Sequence, residues 1–111
     1  MSARILVVDD DETSRRALTR LLGSEGHVAH ACESAAEALV ALREGQYAVL
    51  LTDLVMPDMN GLELVRAARA IHPALRCMIM SGHAPVEGAE SEVEWVEKPI
   101  DLDRLLETLG A

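Results

Sequence analysis

The sequence predicts a doubly wound α/β domain, a parallel sheet covered by helices on both faces. Three observations predict it. Residues 4–8, Arg-Ile-Leu-Val-Val, form a β-branched run without alternation, the mark of a strand buried on both faces. Short runs of that kind then alternate with amphipathic stretches along the whole chain, as strands joined by crossover helices do. Finally, 111 residues, half of them apolar, can bury one core but not two, so residues 1–111 read as a single domain.

The elements follow in order. Residues 13–24 place Ala17, Leu18, Leu21 and Leu22 on one stripe, a helix that ends near Gly23 and Gly26. Residues 27–31 are a weak strand. Ser34 and Glu37 have capping-box spacing ahead of Ala35, Ala38, Leu39 and Leu42, a helix that runs to Gly45. Residues 47–52 form a buried strand. Asn60 and Glu63 repeat the capping pattern before a helix with Leu62, Val65 and Ala68 inward, and His72-Pro73 stops it. Residues 76–80 and 94–97 are the fourth and fifth strands. Asp101 caps a last helix with Leu102, Leu105, Leu106 and Leu109 facing in. Residues 84–93 carry Pro85, Gly88 and several glutamates without an apolar stripe, so this segment reads as a loop or a single helical turn. The fourth helix is therefore expected to be short or absent.

Composition narrows the function. Nineteen acidic against ten basic residues leave a net charge of −9, a field that repels phosphate backbones and argues against direct nucleic-acid binding. No apolar run approaches the roughly 20 residues of a membrane span, Arg4 follows Met1 almost at once and no small-residue cleavage site appears, so a cytoplasmic protein without membrane insertion is expected. Cys32 and Cys77 lack metal-ligand or C-x-x-C spacing and read as reduced, buried small hydrophobes. His27, His30 and His72 likewise show no ligand spacing and read as surface residues, whereas Met78 and Met80 alternate within a strand as core.

Sites in doubly wound sheets form at the carboxyl ends of the strands. Here strand one ends in Asp9-Asp10-Asp11, strand three in Thr52-Asp53, strand four in Met80-Ser81-Gly82 and strand five in Glu97-Lys98-Pro99. Carboxylates about 4 Å apart repel by roughly 4 kcal/mol per pair at an effective dielectric of 20, so such a cluster calls for a cation. Hard oxygen ligands without His or Cys favour Mg2+, and Lys98, the only lysine, supplies a further positive charge.

Val7-Val8-Asp9-Asp10, Asp53-Leu-Val-Met-Pro57 followed by Asn60-Gly61, Ser81-Gly82 and Lys98-Pro99, in this order at strand ends, resemble the receiver domains of two-component response regulators. The resemblance extends from Ile5 to Leu109. It implies a flavodoxin-like five-stranded sheet of order 2-1-3-4-5 and a phosphorylation-dependent regulatory domain, not an enzyme acting on an external substrate. It implies Asp53 as the acceptor that takes a phosphoryl group from a phosphohistidine, with slow loss to water. Asp10, Asp53 and the Val55 backbone carbonyl would hold Mg2+, with Asp9 acting largely through water. Ser81 and Lys98 would bind the phosphoryl oxygens, and Ser81 and Trp95 would form the switch. Trp is bulkier than the Tyr or Phe usual at that position. Lys98-Pro99 is a cis-peptide position by the same resemblance, and His83 stands where phosphorylation lifetime is tuned. The implied partners are a sensor histidine kinase or phosphotransfer protein and a downstream protein target, in a standalone regulator or within a hybrid kinase.

Ser81 and Lys98 are only 17 positions apart, closer than in most receivers, and the missing length falls on the segment read as loop. Two rival readings exist. Asp9-Asp10-Asp11-Glu12-Thr13 also fits the D-x-D-x-T opening of haloacid-dehalogenase-like phosphatases, with Asp9 as nucleophile and Asp11 as acid/base. That reading leaves Asp53-Leu-Val-Met-Pro57 unexplained. The other is a receiver-like binding module that works without phosphorylation. A flavodoxin-like cofactor protein lacks its phosphate loop after strand one.

Overall fold

Ile5, Leu6, Val7 and Val8 are fully buried, and the rest of the chain is arranged around the strand they form. The computed structural model describes residues 3–82 and 93–110. Its elements are β1 (Arg4–Val8), α1 (Glu12–Ser24), β2 (Val28–Cys32), α2 (Ala35–Glu44), β3 (Val49–Asp53), α3 (Gly61–Ile71), β4 (Arg76–Ser81), β5 (Glu94–Glu97) and α4 (Leu102–Gly110). All strands are parallel, in the order β2-β1-β3-β4-β5, as the resemblance implied. The segment expected to be loop or short helix lies, but for Val93, outside the described residues, as does His83.

Strand alternation divides the core in two. Leu6, Val8, Leu50 and Ile79 face one side of the sheet, where Ala35, Ala38 and Leu42 of α2 and Leu64, Val65 and Ala68 of α3 cover them. Ile5, Val7, Val49, Leu51, Met78 and Met80 face the other, against Leu18 and Leu22 of α1 and Leu105 of α4. Both cysteines are buried, and burial pushes the Cys32 thiol up to about 11, which leaves it inert.

Local signals hold where they rest on side-chain caps. Asp11, Ser34, Asn60 and Asp101 each accept a backbone N–H three residues on. Among the described helices, only at Asn60 does the glutamate at the third helical position complete the box, with the Asn60 N–H donating to Glu63 Oε1. At the C-terminus of α1, Gly26 turns the chain with φ +90°, a conformation that favours glycine.

The structure corrects several sequence readings. His27 is buried, not on the surface: its N–H closes the end of α1 on Leu22 O, and its Nδ1 accepts the Ala3 N–H at 3.1 Å. His72 is half-buried, with Nε2 2.6 Å from the Leu42 carbonyl, and so ties the end of α3 to α2. Leu102 is 43% exposed, so the inward face of α4 is Leu105, Leu106 and Leu109. Ala17 is exposed because Leu18 and Leu22, one turn apart, take the sheet-facing row of α1.

Gly61 opens α3 directly against the end of β3. Its N–H donates to Leu54 O at 2.7 Å, and a Cβ there would lie 2.4 Å from the Asp53 carbonyl oxygen and 3.1 Å from Leu54 Cα. Backbone cannot yield as a side chain tip does. Gly61→Ala is expected to destabilise the protein by about 1–3 kcal/mol in urea unfolding. Gly23→Ala, with nothing within 4 Å and a helical site, is expected to stabilise it by roughly 0.5–1 kcal/mol.

Candidate functional site

Sheet parity and register build the site. Asp9 continues the row Ile5–Val7, and Asp53 ends the row Val49–Leu51, so both point to the α1/α4 side. Register pairs Val8 with Thr52, which sets Asp9 beside Asp53 one residue further on. One carboxylate oxygen from each of Asp9, Asp10 and Asp53 lies within 4.8 Å of the others. Asp9 and Asp53 are buried and Asp10 is exposed, so the cluster opens to solvent on one side.

The chain supplies part of the balancing charge. Lys98 Nζ forms an ion pair with Asp53 Oδ1. Register aligns Ser81 with Glu97, and the Lys98 N–H donates to Ser81 O at 2.9 Å, which fixes where the lysine leaves the sheet. The Lys98–Pro99 peptide is cis. Ser81 is buried at the end of β4 beside this cluster of strand ends.

Burial above all raises the Asp9 carboxyl, to about 6, and the neighbouring Asp53 adds to the rise. The Asp11 N–H, 2.9 Å from Asp9 Oδ1, and the Lys98 charge oppose it. Asp11 itself serves as the cap of α1. Its Oδ2 accepts from Ser14 N–H at 3.2 Å and from Ser14 Oγ at 2.7 Å, which holds its carboxyl below the usual value. A carboxylate engaged in this way is not poised as the general acid of the phosphatase reading.

The loop after Asp53 is pinned from several directions. Leu54 N–H donates to Met80 O, and Gly61 N–H to Leu54 O. Met56 turns inward, with its sulfur 3.8 Å from Thr52 Oγ1, whereas Val55 is 70% exposed. The Asp58 carboxylate accepts the first two amides of α2, Ala35 and Ala36, at 3.4 and 3.1 Å. Sequence reasoning missed this bond, the tether from Arg15 Nη1 to Asp9 O at 2.9 Å, and the two-pronged Arg76–Glu94 pair that joins β4 to β5. None of the three follows a local spacing rule. The charged and aliphatic character of their surroundings gave no signal. Trp95 is half-buried against the α2/α3 core, and its indole N–H is buried without a partner among the described residues.

The raised Asp9 carboxyl has a pH consequence. A carboxyl whose folded value is about 6 against 3.8 unfolded keeps its proton in the native state while the unfolded chain loses it. The protonated form therefore favours folding, and that advantage is lost as pH rises from about 4 to 6. In metal-free buffer, the stability gained by Asp9→Asn over wild type should grow across this window, by on the order of 2 kcal/mol. Urea unfolding of both proteins at pH 4 and pH 7 checks it. A gap that stays constant or shrinks would contradict the assignment.

The sequence matches the response regulator receiver domain family over residues 5–110. It is 38% identical over 109 residues to the response regulator receiver protein CpdR of Brucella abortus, covering 93% of this chain and 90% of that protein. It is 36% identical over 107 residues to the DNA-binding transcriptional regulator NtrC of Proteus hauseri, covering 92% of this chain but only 23% of that longer protein. The structure superposes on the response regulator TrrA of Thermotoga maritima, solved in complex with Mg2+–BeF, with a TM-score of 0.88. That pair is 28% identical, and the match covers 96% of each chain. With the strand order and the clustered carboxylates already in place, these matches establish that the chain belongs to the response regulator receiver domain family.

Proposed function

We propose that this chain is a phosphorylation-activated switch that accepts a phosphoryl group on Asp53 from a histidine kinase or a phosphotransfer protein. The observation that carries the reading is the convergence of Asp9, Asp10 and Asp53 on one point, with Lys98 paired to the Asp53 carboxylate. The donor set, three carboxylates with no nitrogen or sulfur ligand among the described residues, fits a hard divalent cation, and Mg2+ is the one proposed. Asp10, Asp53 and the Val55 carbonyl would hold it, with Asp9 acting largely through water. When bound, Mg2+ supplies charge that offsets the repulsion between carboxylates and incoming phosphoryl oxygens.

In the proposed transfer, an Asp53 carboxylate oxygen attacks phosphorus in line with the phosphohistidine nitrogen. The new O–P bond forms as the P–N bond breaks, and the imidazole leaves with the electron pair. Asp53 is a weak nucleophile toward an anion, so positioning and electrostatics do most of the work. Lys98 would move from the carboxylate to a phosphoryl oxygen. The Ser81 hydroxyl would donate to another, a bond present only after transfer. That new contact would bias the β4 end, and Trp95 on β5 is the neighbouring group through which the change would reach a protein partner. Attack by water later returns the Asp53 carboxylate and inorganic phosphate. His83, two residues past Ser81, is proposed to tune that rate.

Incubation with a small acyl phosphate should add one phosphoryl mass to the wild type in Mg2+ and none in EDTA, with the group mapping to Asp53. Asp53→Asn should remain folded and gain nothing. Labelling that persists in Asp53→Asn and maps to Asp9 would instead favour the phosphatase reading.

Millimolar Mg2+ should also raise the melting temperature, by relieving the carboxylate crowding of the native state alone. The shift should be larger at pH 7.5 than at pH 5, because protonated Asp9 no longer repels its neighbours. A thermal scan blind to Mg2+ at both pH values would remove the cation from the proposal.

A further inference from the structure

The peptide between Asp9 and Asp10 sets the relative aim of the two carboxylates at the end of β1, and Asp9 is tethered at three points. Its N–H donates to Cys32 O at 3.2 Å, which continues the sheet ladder. Its Oδ1 accepts the Asp11 N–H at 2.9 Å, a bond within the loop. Its carbonyl, the acceptor half of the Asp9–Asp10 peptide, takes Nη1 of Arg15 at 2.9 Å, reached back from the first turn of α1. Arg15 is half-buried, and its own backbone carbonyl accepts Thr19 Oγ1 at 2.7 Å. The first two bonds leave that peptide plane free to tilt on its carbonyl side. The guanidinium closes it.

We propose that Arg15 is a positioning residue for the divalent cation. It holds the Asp9–Asp10 peptide so that both carboxylates aim at Asp53, and it does not touch the ion. The inference rests on the cation site of the proposed function and goes beyond it. Its physical basis is that Mg2+ demands near-ideal octahedral geometry, so a tilt of one ligand-bearing peptide costs affinity directly.

Charge and position make opposite demands here, which makes the test decisive. Arg15 is a cation near an acidic cluster. If charge were its only influence, its removal would tighten Mg2+ binding. If it positions the ligands, its removal weakens binding despite the more negative site. Mg2+ affinity is to be measured by calorimetric titration for the wild type, Arg15→Gln and Arg15→Lys. Both variants are expected to bind about tenfold more weakly. Arg15→Lys keeps the charge but has no planar fork, and so isolates geometry. The Mg2+ concentration for half-maximal labelling by the acyl phosphate should rise by the same factor. Metal-free melting temperatures of the variants should stay within about 4 °C of wild type, as for loss of one half-exposed hydrogen bond. If Arg15→Gln does not fold, Arg15→Lys decides alone. Unchanged or tighter binding in the folded variants would overturn the positioning role and leave the switch standing. A wild type that takes up no Mg2+ in the same titration would bring down the cation site itself, and the positioning role with it.

Discussion

The crowding of three carboxylates at the ends of β1 and β3 is the constraint on which the rest of the molecule turns. Asp9 and Asp53 are almost wholly buried, side by side, where each close pair repels by roughly 4 kcal/mol at an effective dielectric of 20. Nothing in the cluster is self-stabilising, so neighbouring structure must hold it in place. The strands that carry it are buried over almost their whole length. Each fully buried Ile, Leu or Val contributes roughly 1.5–3 kcal/mol, and β1 and β3 together supply several of them. The aliphatic core is therefore large enough to impose an arrangement that the acidic groups oppose. Burial first, and the neighbouring Asp53 second, raise the Asp9 carboxyl, and the Lys98–Asp53 pair offsets part of the repulsion.

Topology explains why the cluster sits there. From β1 the chain crosses through α1 to β2 on one side, and β3 adds to the opposite side of β1. The connections therefore diverge at the carboxyl ends of β1 and β3, and a crevice opens between them. The helix following β1 lies on one face and the helix following β3 on the other. Asp9 and Asp53 extend the rows of side chains that face α1 and α4, so the crevice opens toward the loop that brings in Lys98. One strand register thus accounts for both the acidic pair and its counter-ion.

Much of this was legible from the residues. Continuous apolar runs marked the buried strands, and the caps at Ser34, Asn60 and Asp101 marked helix starts, because both signals arise within a few consecutive residues. The polar groups at the strand ends were legible for a related reason: once the strands are parallel, their carboxyl ends must lie together. Tertiary bonds between distant, exposed-looking polar residues were not. Asp58 carries no local signal, yet it accepts the Ala36 N–H of α2 from 22 positions away. His27 reads as a surface residue in a weak strand. It is buried because the N-terminal segment needs an acceptor for the Ala3 N–H and the end of α1 needs a donor. Leu102 misleads in the opposite direction, since a leucine at helical spacing need not lie on the packed row when α4 is short.

The two halves of the site differ in how firmly they are held, and that difference would suit the proposed switch. The Asp53 side is braced from many directions: Asp53 lies within the central strand, Gly61 packs against its carbonyl, and Asp58 ties its loop to α2. Ser81 and Lys98 lie on β4 and β5, and β5 is a four-residue edge strand whose side chains are at most half-buried. Its side-chain link to β4 at the far end is the exposed Arg76–Glu94 pair, of a kind worth little in water. A group that bound Ser81 and Lys98 together, as in the proposed function, would therefore lie between a firmly held carboxylate side and a less buried sheet edge. Such an asymmetry would let that contact move the edge of the sheet without disturbing the carboxylates at the ends of β1 and β3.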